Sequence, residues 1–201
     1  MSVNLYISDK ERAVFEKTTV GIAGAGGLGS NCAMHLVRAG IKNIVITDYD
    51  SVSPSNLNRQ FFFADQIGKQ KVHALKENLL RIESRLNLVI HNIKLTSENL
   101  TTVFKDCDVV AEALDNAEAK EMFLAALIPT SKKLVSVSGI AGWGKSNSIK
   151  VRSVGKNLVL IGDCSTSVNE DTGMFPESPR VGIAAAMQAN SILSLLLDEE
   201  I

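Results

Sequence analysis

The sequence predicts an α/β fold, namely a doubly wound and mainly parallel sheet with helices on both faces and an antiparallel extension near the C-terminus. Short apolar, β-branched runs alternate with amphipathic segments along residues 19–142, and strands that alternate with helices build parallel sheets. Residues 147–162 instead hold two strand-like runs separated only by a short turn, which predicts the antiparallel extension.

The composition indicates one globular domain over residues 1–201. Hydrophobic residues make up 45% of the chain and charged residues 21%, which suffices for a sizeable core. The 21 basic residues nearly balance the 22 acidic ones, so we expect no nucleic-acid partner. We expect a cytoplasmic protein without a membrane segment, since uninterrupted apolar runs are short and the first residues are polar.

The first βαβ unit occupies residues 19–50. An apolar run at residues 19–24 is closed by glycine, and residues 28–39 follow with helical spacing of their apolar positions. Gly40 is placed to end this helix, and residues 42–50 supply a second strand that runs into acidic residues.

The remaining elements repeat this alternation, after an N-terminal segment at residues 1–18. The pattern predicts, in chain order, a helix within 68–85, a strand at 88–95, a short helix at 97–105 capped by Ser97, a strand at 107–114, a helix at 117–127 and a strand at 133–142. Beyond the extension, residues 163–180 are rich in turn formers and predict a long mobile loop, and residues 181–197 predict a strongly apolar helix.

A glycine-rich turn joins the first strand to the first helix. Gly24, Gly26 and Gly29 form the G-x-G-x-x-G fingerprint of Rossmann-like nucleotide-binding folds, with Gly27 inside it. Free N–H groups at such a helix N-terminus attract phosphate oxygens. Asp48 stands 19 residues beyond Gly29, near the expected position of a ribose-binding acid. The turn alone does not distinguish NAD from ATP, because both carry phosphates and a ribose.

Four further segments carry a family resemblance. GAGGLGS, DYDSVSPSNLNRQ, GKQK and ALDNAEAK occur in this order, and with them the chain resembles the ThiF/MoeB/HesA family, the bacterial relatives of the ubiquitin-activating enzymes. The resemblance extends over nearly all of residues 18–195. Its most specific part is SNLNRQ at residues 55–60, since the glycine turn is common to many nucleotide-binding proteins.

The resemblance implies an activity. Members of this family use ATP and Mg²⁺ to convert the C-terminal glycine carboxylate of a ubiquitin-like carrier into an acyl adenylate, with release of pyrophosphate. The short chain and its PRVGIAAAMQAN segment are similar to the ThiF group, which implies a ThiS-like sulfur carrier, thiamin thiazole biosynthesis and a homodimer.

Other functions stay open. Within the family, the carrier could belong to molybdopterin synthesis, or the activated carboxylate could be carried by a modified tRNA. An NAD-dependent oxidoreductase would explain the glycine turn but would give SNLNRQ no task. A scaffold without activity is disfavoured, because three residues suited to catalysis are present together, namely Arg59, Lys71 and Asp115.

The resemblance also implies site residues. A carboxylate that attacks the α-phosphate brings anions together, so cations are needed around the triphosphate. Asp48 would bind the ribose, and Asp115 would bind Mg²⁺ unless it caps the following helix. Asp50 could serve either the loop or the site. Nucleotide contacts are implied for Gly24, Gly26, Gly27, Gly29, Asp48, Asn56, Arg59, Gln60 and Lys71, and catalysis for Arg59, Lys71 and Asp115.

Three features depart from the family pattern. The chain has no C-x-x-C pair, so the zinc site of many relatives is not expected. Cys164 lies about where larger relatives carry a transfer cysteine, but its sequence neighbours include no histidine or basic residue that would activate it. Arg12 is the one arginine before the first strand, and a role across a dimer stays open.

Overall fold

Seven strands and six α-helices make up the part of the chain that the computed structural model describes, which is residues 6–200 apart from 169, 170 and 172. The helices are α1 (Asp9–Lys17), α2 (Gly27–Ala39), α3 (Lys71–Leu80), α4 (Leu100–Val103), α5 (Ala117–Leu127) and α6 (Ser178–Leu197). The strands are β1 (Thr19–Ala23), β2 (Asn43–Thr47), β3 (Asn87–His91), β4 (Val109–Glu112), β5 (Lys133–Val137), β6 (Lys150–Val154) and β7 (Leu158–Gly162).

The strands form one sheet in the order β3-β2-β1-β4-β5-β7-β6. Every pairing is parallel except that of β6 with β7, which is antiparallel. The predicted antiparallel extension is confirmed, and it consists of β6 alone because β7 runs parallel to β5. The strand order reverses between β1 and β4, and such a reversal opens a crevice at the carboxyl ends of the strands.

Both faces of the sheet are buried, as the doubly wound fold requires. Ile22 and Val135 point into a core shared with α2, α3 and α6. Val110 and Leu134 point to the opposite face, where α4 and α5 supply the second core with Phe123 among its buried members. Alternate side chains of one strand therefore serve two cores, which explains why the strands read as continuous apolar runs.

The N-terminal segment contains a helix that the sequence analysis did not predict. Ser8 and Glu11 form a capping box at the start of α1, in which each side chain binds the backbone N–H of the other residue. Phe15 is the buried residue of this helix and joins the core beside α6. Residues 1–5 of the predicted segment lie outside the described part of the chain.

Two predicted boundaries were wrong. Ser97 does not cap α4, because the side chain of Asn99 accepts the Thr96 N–H at 2.9 Å and closes a turn before the helix begins at Leu100. The predicted loop at residues 163–180 is three residues shorter, since α6 begins at Ser178 with a proline in its first turn. Residues 169, 170 and 172 of this loop are not described, and its predicted mobility stays a prediction.

Helix α6 is, among the described helices, the one long and apolar enough to cross a membrane, with 20 residues and a mean hydropathy of 1.3. One face of the helix lies in the core, and 44% of its most apolar window is buried. Gln188 is fully buried, and its amide donates to the carbonyls of Glu112 at 2.8 Å and Val135 at 3.0 Å. The helix is thereby attached to β4 and β5 by polar contacts that a lipid-facing helix would not need.

A buried ion pair closes the C-terminal side of the fold. Arg180 Nη2 lies 2.7 Å from Asp163 Oδ2, with side chains 2% and 8% exposed, and Arg180 Nη1 donates to the Gly144 carbonyl at 2.9 Å. Burial opposes the ionisation of Asp163, but hydrogen bonds from Thr166 and Ser165 outweigh it and lower its pKa to about 2. The pair joins the start of α6 to the end of β7 and to the loop after β5.

We predict that Asp163→Asn destabilises the protein by roughly 3–5 kcal/mol at pH 7, because it leaves the buried Arg180 charge without its partner. The double variant Asp163→Asn/Arg180→Met should recover part of this loss. The pKa of Asp163 is lowered, so its stabilisation is present above the ordinary value of 3.8 and is lost as the pH falls toward 2. Urea unfolding at several pH values measures this, and a loss under about 1 kcal/mol at pH 7 would refute the assignment.

Candidate active site

A cleft of about 520 Å³ lies at the carboxyl ends of β1, β2, β4 and β5, where the strand order reverses. The structure brings nearly all predicted site residues to this cleft. The residues that line it include Gly24, Gly26, Gly27, Asp48, Asn56, Arg59, Gln60, Lys71 and Asp115. Gly29 is the predicted residue that does not line it.

The glycine turn is shaped by close contacts with its neighbours. Gly24 has a φ of +105°, and a side chain there would come within 2.6 Å of the Ala113 carbonyl oxygen. A side chain on Gly29 would collide with the carbonyl of Gly24. Gly29 therefore allows the first turn of α2 to pack against the end of β1, and it acts on the cleft through that packing.

The N-terminus of α2 opens onto the cleft. Gly26 is its N-cap residue and no side chain caps the helix, whose first turn carries no acidic residue. A β-carbon at Gly26 would find Gln60 Nε2 as its nearest neighbour, at 3.9 Å. The turn thus leaves free space in front of unpaired N–H groups, which is the geometry of an anion-binding site.

Asp48 is held by the turn that it faces. Its Oδ2 accepts the Ala25 N–H at 2.7 Å and its Oδ1 accepts the Asp50 N–H at 2.8 Å. Burial raises the pKa of Asp48, although hydrogen bonds from Asp50 and Ala25 and the charge of Lys71 oppose this. Each oxygen keeps a lone pair for another donor, so the carboxylate can accept sugar hydroxyls without leaving its position.

Lys71 is a buried cation at the start of α3. Its Nζ lies 2.7 Å from Asp50 Oδ2, and its backbone N–H donates to the Asp50 carbonyl at 2.9 Å. The lysine side chain is 8% exposed, whereas that of Asp50 is 44% exposed. Asp50 therefore serves both the loop and the site, because it orders the start of α3 and pairs with a cleft cation.

The SNLNRQ segment forms one wall of the cleft. Asn56 Oδ1 accepts the Ser53 N–H at 3.0 Å and fixes a short 3₁₀ turn at Pro54–Asn56. Arg59 pairs with no carboxylate in the described part of the chain and donates to Asn58 Oδ1 at 2.8 Å. Gln60 is buried, and no described group donates to its Oε1. Arg59, which no described carboxylate neutralises, and the buried Gln60 thus both line the cleft.

Asp115 lies in the turn between β4 and α5. The structure excludes the alternative in which it caps α5, because the N-cap is Asn116, whose Oδ1 accepts the Ala119 N–H at 2.8 Å. Asp115 is exposed and its Oδ1 accepts from the Asn116 amide at 3.0 Å. Its second oxygen stays available to the cleft.

The carboxylates of the cleft can be compared with the ligands that a metal ion requires. The described residues contain no cluster of three or more His, Cys, Asp or Glu side chains that could hold a metal ion. Mg²⁺ does not need such a cluster when one or two carboxylates and substrate phosphates complete its ligands. Asp115 and Asp50, which both line the cleft, fit that mode of binding. The absence of zinc stays a prediction.

A buried polar cluster that was not predicted from the sequence adjoins the cleft through Lys120. Glu112 is fully buried and binds Lys120 and Ser136, at 2.9 Å and 2.6 Å. The available signal was an acidic residue inside an apolar strand, which needs a buried partner. Lys120 lies eight residues further on and lines the cleft.

Two residues with open roles lie away from the predicted cluster. Arg12 is part of α1 and does not line the cleft. Cys164 is exposed, and Arg152 Nη1 lies 3.6 Å from its Sγ, which gives it a basic neighbour in space that its sequence neighbours do not supply. The neighbour was missed because β6 and β7 bring the two residues together across the hairpin.

Curated proteins supply the first comparison. The chain is 36% identical over 126 residues to the adenylyltransferase and sulfurtransferase MOCS3 of Aedes aegypti. The aligned region covers 62% of this chain and 29% of that protein. The chain therefore spans about a third of the length of this relative.

Solved structures share the fold. TcdA, an E. coli tRNA N6-threonylcarbamoyladenosine dehydratase determined with ATP, superposes with a TM-score of 0.86 at 19% identity, over 94% of this chain and 90% of that chain. E. coli MccB, determined with AMPCPP and MccA, gives a TM-score of 0.72 at 21% identity, over 92% of this chain and 57% of that chain. At these identities the likeness concerns the fold.

The family model described as the ThiF family matches residues 2–201. Because this match covers nearly the whole sequence, the chain belongs to the ThiF family, within the superfamily of the ubiquitin-activating enzymes.

Proposed function

We propose that this protein adenylylates the C-terminal glycine carboxylate of a ubiquitin-like sulfur carrier, using ATP and releasing pyrophosphate. The observation that carries the proposal is the cleft itself, in which the free N-terminus of α2, Arg59 and Lys71 face one space beside Asp48. The names of related proteins support it, since MOCS3 is called an adenylyltransferase and TcdA was determined with ATP.

The charges of the cleft suit the chemistry. A carboxylate that attacks the α-phosphate must approach a polyanion, so the barrier falls where fixed cations and N–H dipoles already surround the phosphates. Arg59 has no carboxylate partner among the described residues and can bind phosphate oxygens through two parallel hydrogen bonds. Lys71 supplies a second cation to the same cleft as a point charge, and Asp50 orients it.

The other predicted site residues bind the ribose or the metal ion, or form the wall of the cleft. Asp48 accepts the ribose hydroxyls, and Gln60, whose Nε2 faces the glycine turn, contacts the nucleotide. Asp115 would hold Mg²⁺, and the metal ion would neutralise charge on the pyrophosphate leaving group. Asn56 keeps its wall of the cleft in shape through the 3₁₀ turn.

The rival functions explain fewer of the residues that line the cleft. An NAD-dependent oxidoreductase finds no support in the family match and leaves Arg59 and Lys71 without a task. Activation of a carboxylate on tRNA would follow TcdA, but the net charge of −1 does not favour a polyanionic partner. A molybdopterin carrier in place of a ThiS-like carrier would leave the chemistry unchanged.

The biological setting follows the same proposal. We infer a cytoplasmic enzyme of thiamin thiazole biosynthesis that acts as a homodimer. The half-buried apolar residues of α6 support the dimer, because a second copy would cover them. Light scattering decides this point, since a mass near 21.6 kDa would identify a monomer.

Nucleotide binding gives the first test. The protein should bind ATP and show little affinity for NAD in calorimetric titrations, with Mg²⁺ present for ATP. Gly26→Val should abolish ATP binding with little loss of stability, because its side chain would occupy the space in front of the α2 N–H groups, where a β-carbon finds only Gln60 Nε2, at 3.9 Å. Tight NAD binding without an ATP signal would contradict the proposal.

Single-turnover formation of carrier adenylate, followed by mass spectrometry, tests the cations. Arg59→Ala and Lys71→Ala should each lower the rate by about a hundredfold or more, equivalent to about 3 kcal/mol of transition-state stabilisation. Additional Mg²⁺ should not restore it, since a metal ion does not replace their directed hydrogen bonds.

Lys69→Ala is the matched control for the lysine. Lys69 is two residues away and forms an exposed pair with Glu77 at 2.9 Å, so its removal should leave the rate within about twofold. Equal effects of Lys69→Ala and Lys71→Ala would show that the loss comes from general electrostatics and would count against the assigned role of Lys71.

A further inference from the structure

A closed polar cluster consists of Lys120, which lines the cleft, and of Glu112 and Ser136, which lie behind it. Glu112, the last residue of β4, is fully buried. Its carboxylate accepts from Lys120 Nζ at 2.9 Å through each oxygen and from Ser136 Oγ at 2.6 Å. It also accepts the Leu114 N–H at 2.6 Å. A carboxylate with this many donors is fixed in one place.

Lys120 has no donor to spare for a ligand. Its ammonium group carries three N–H bonds, and it has three acceptors, namely both oxygens of Glu112 and the Val137 carbonyl at 3.0 Å. Lys120 lies on α5, whereas Glu112 and Val137 end β4 and β5. Although it lines the cleft, Lys120 therefore attaches α5 to two strand ends and does not act as a free cation.

These contacts set the position of the turn that carries Asp115. On one side of Asp115, the Leu114 N–H is bound by Glu112. On the other side, Asn116 caps α5 and donates to Asp115 Oδ1 at 3.0 Å. Lys120 holds α5 itself against the sheet. The exposed Asp115 carboxylate thus sits between two anchored neighbours.

Stability alone is a weak reason for such a cluster. Buried ion pairs often stabilise a fold no better than apolar residues of similar volume, because both charges lose their hydration. A site that must hold a carboxylate within a fraction of an ångström gains from rigid supporting contacts.

We propose that Lys120 and Glu112 are positioning residues that place Asp115 for magnesium binding. This inference rests on the proposed function, in which Asp115 holds Mg²⁺. Glu112 does not line the cleft, and the three N–H bonds of the Lys120 ammonium group are engaged within the protein. Each residue acts through the β4–α5 turn, and Ser136 supports Glu112.

The test measures how ATP binding in calorimetric titrations and the single-turnover rate of adenylate formation each depend on Mg²⁺ concentration, using the full chain and normalising to folded protein. Lys120→Met should raise the concentration needed for half-maximal rate by about tenfold or more, because Asp115 loses its fixed position. Loss of a positive charge would by itself favour a cation. A higher Mg²⁺ requirement therefore separates a positioning effect from an electrostatic one.

Lys132→Met is the matched control. Lys132 is also held by several acceptors, the carbonyls of Lys105 at 2.7 Å and Cys107 at 2.8 Å, but it lies before β5 and does not line the cleft. Its loss should lower stability without changing the Mg²⁺ dependence. Equal Mg²⁺ dependence of Lys120→Met and Lys132→Met would overturn the inference.

Asp115→Asn separates failure of this inference from failure of the proposed function. If Asp115→Asn raises the Mg²⁺ requirement and Lys120→Met adds little to it in the double variant, the two residues act through one contact and the inference is supported. If Asp115→Asn has no effect, Asp115 does not bind Mg²⁺, and both its proposed role and this inference are overturned. If Lys120→Met does not fold, Ser136→Ala should give a smaller rise in the same direction, and no rise would overturn the inference.

Discussion

The close packing of α2 against the end of β1 is the contact on which the rest of the site depends. A side chain at Gly29 would collide with the Gly24 carbonyl, and one at Gly24 would press on the Ala113 carbonyl. Because both positions lack side chains, the helix axis points into the cleft and its first N–H groups stay free. Asp48 then binds the Ala25 N–H and joins the turn to the end of β2.

The cations that line the cleft differ in how firmly contacts within the protein hold them. Arg59 has no carboxylate partner in the described part of the chain, Lys71 is held by Asp50, and Lys120 is fully used by Glu112 and a carbonyl. This gradation suits a reaction in which charge moves from the incoming carboxylate to the leaving pyrophosphate. Free groups can follow the substrate, whereas fixed groups keep the geometry that the reaction needs.

Local patterns allowed much of this to be predicted from the sequence. The parallel sheet followed from strand and helix periodicity, and the glycine turn and SNLNRQ segment indicated residues that the fold brings to one cleft. The capping box of Ser8 and Glu11 was readable as S-x-x-E but was overlooked. The pairs Glu112–Lys120 and Asp163–Arg180 could not be read in the same way, since their partners meet only through tertiary packing.

The central claim is that this cleft activates the carboxylate of a carrier protein. Carrier-dependent ATP–pyrophosphate exchange tests it most directly, with purified ubiquitin-like carriers compared with the same carriers lacking their C-terminal glycine. The account predicts exchange with an intact ThiS-like carrier and none with the truncated form. Exchange that is indifferent to the C-terminal glycine, or no exchange with any intact carrier, would contradict it.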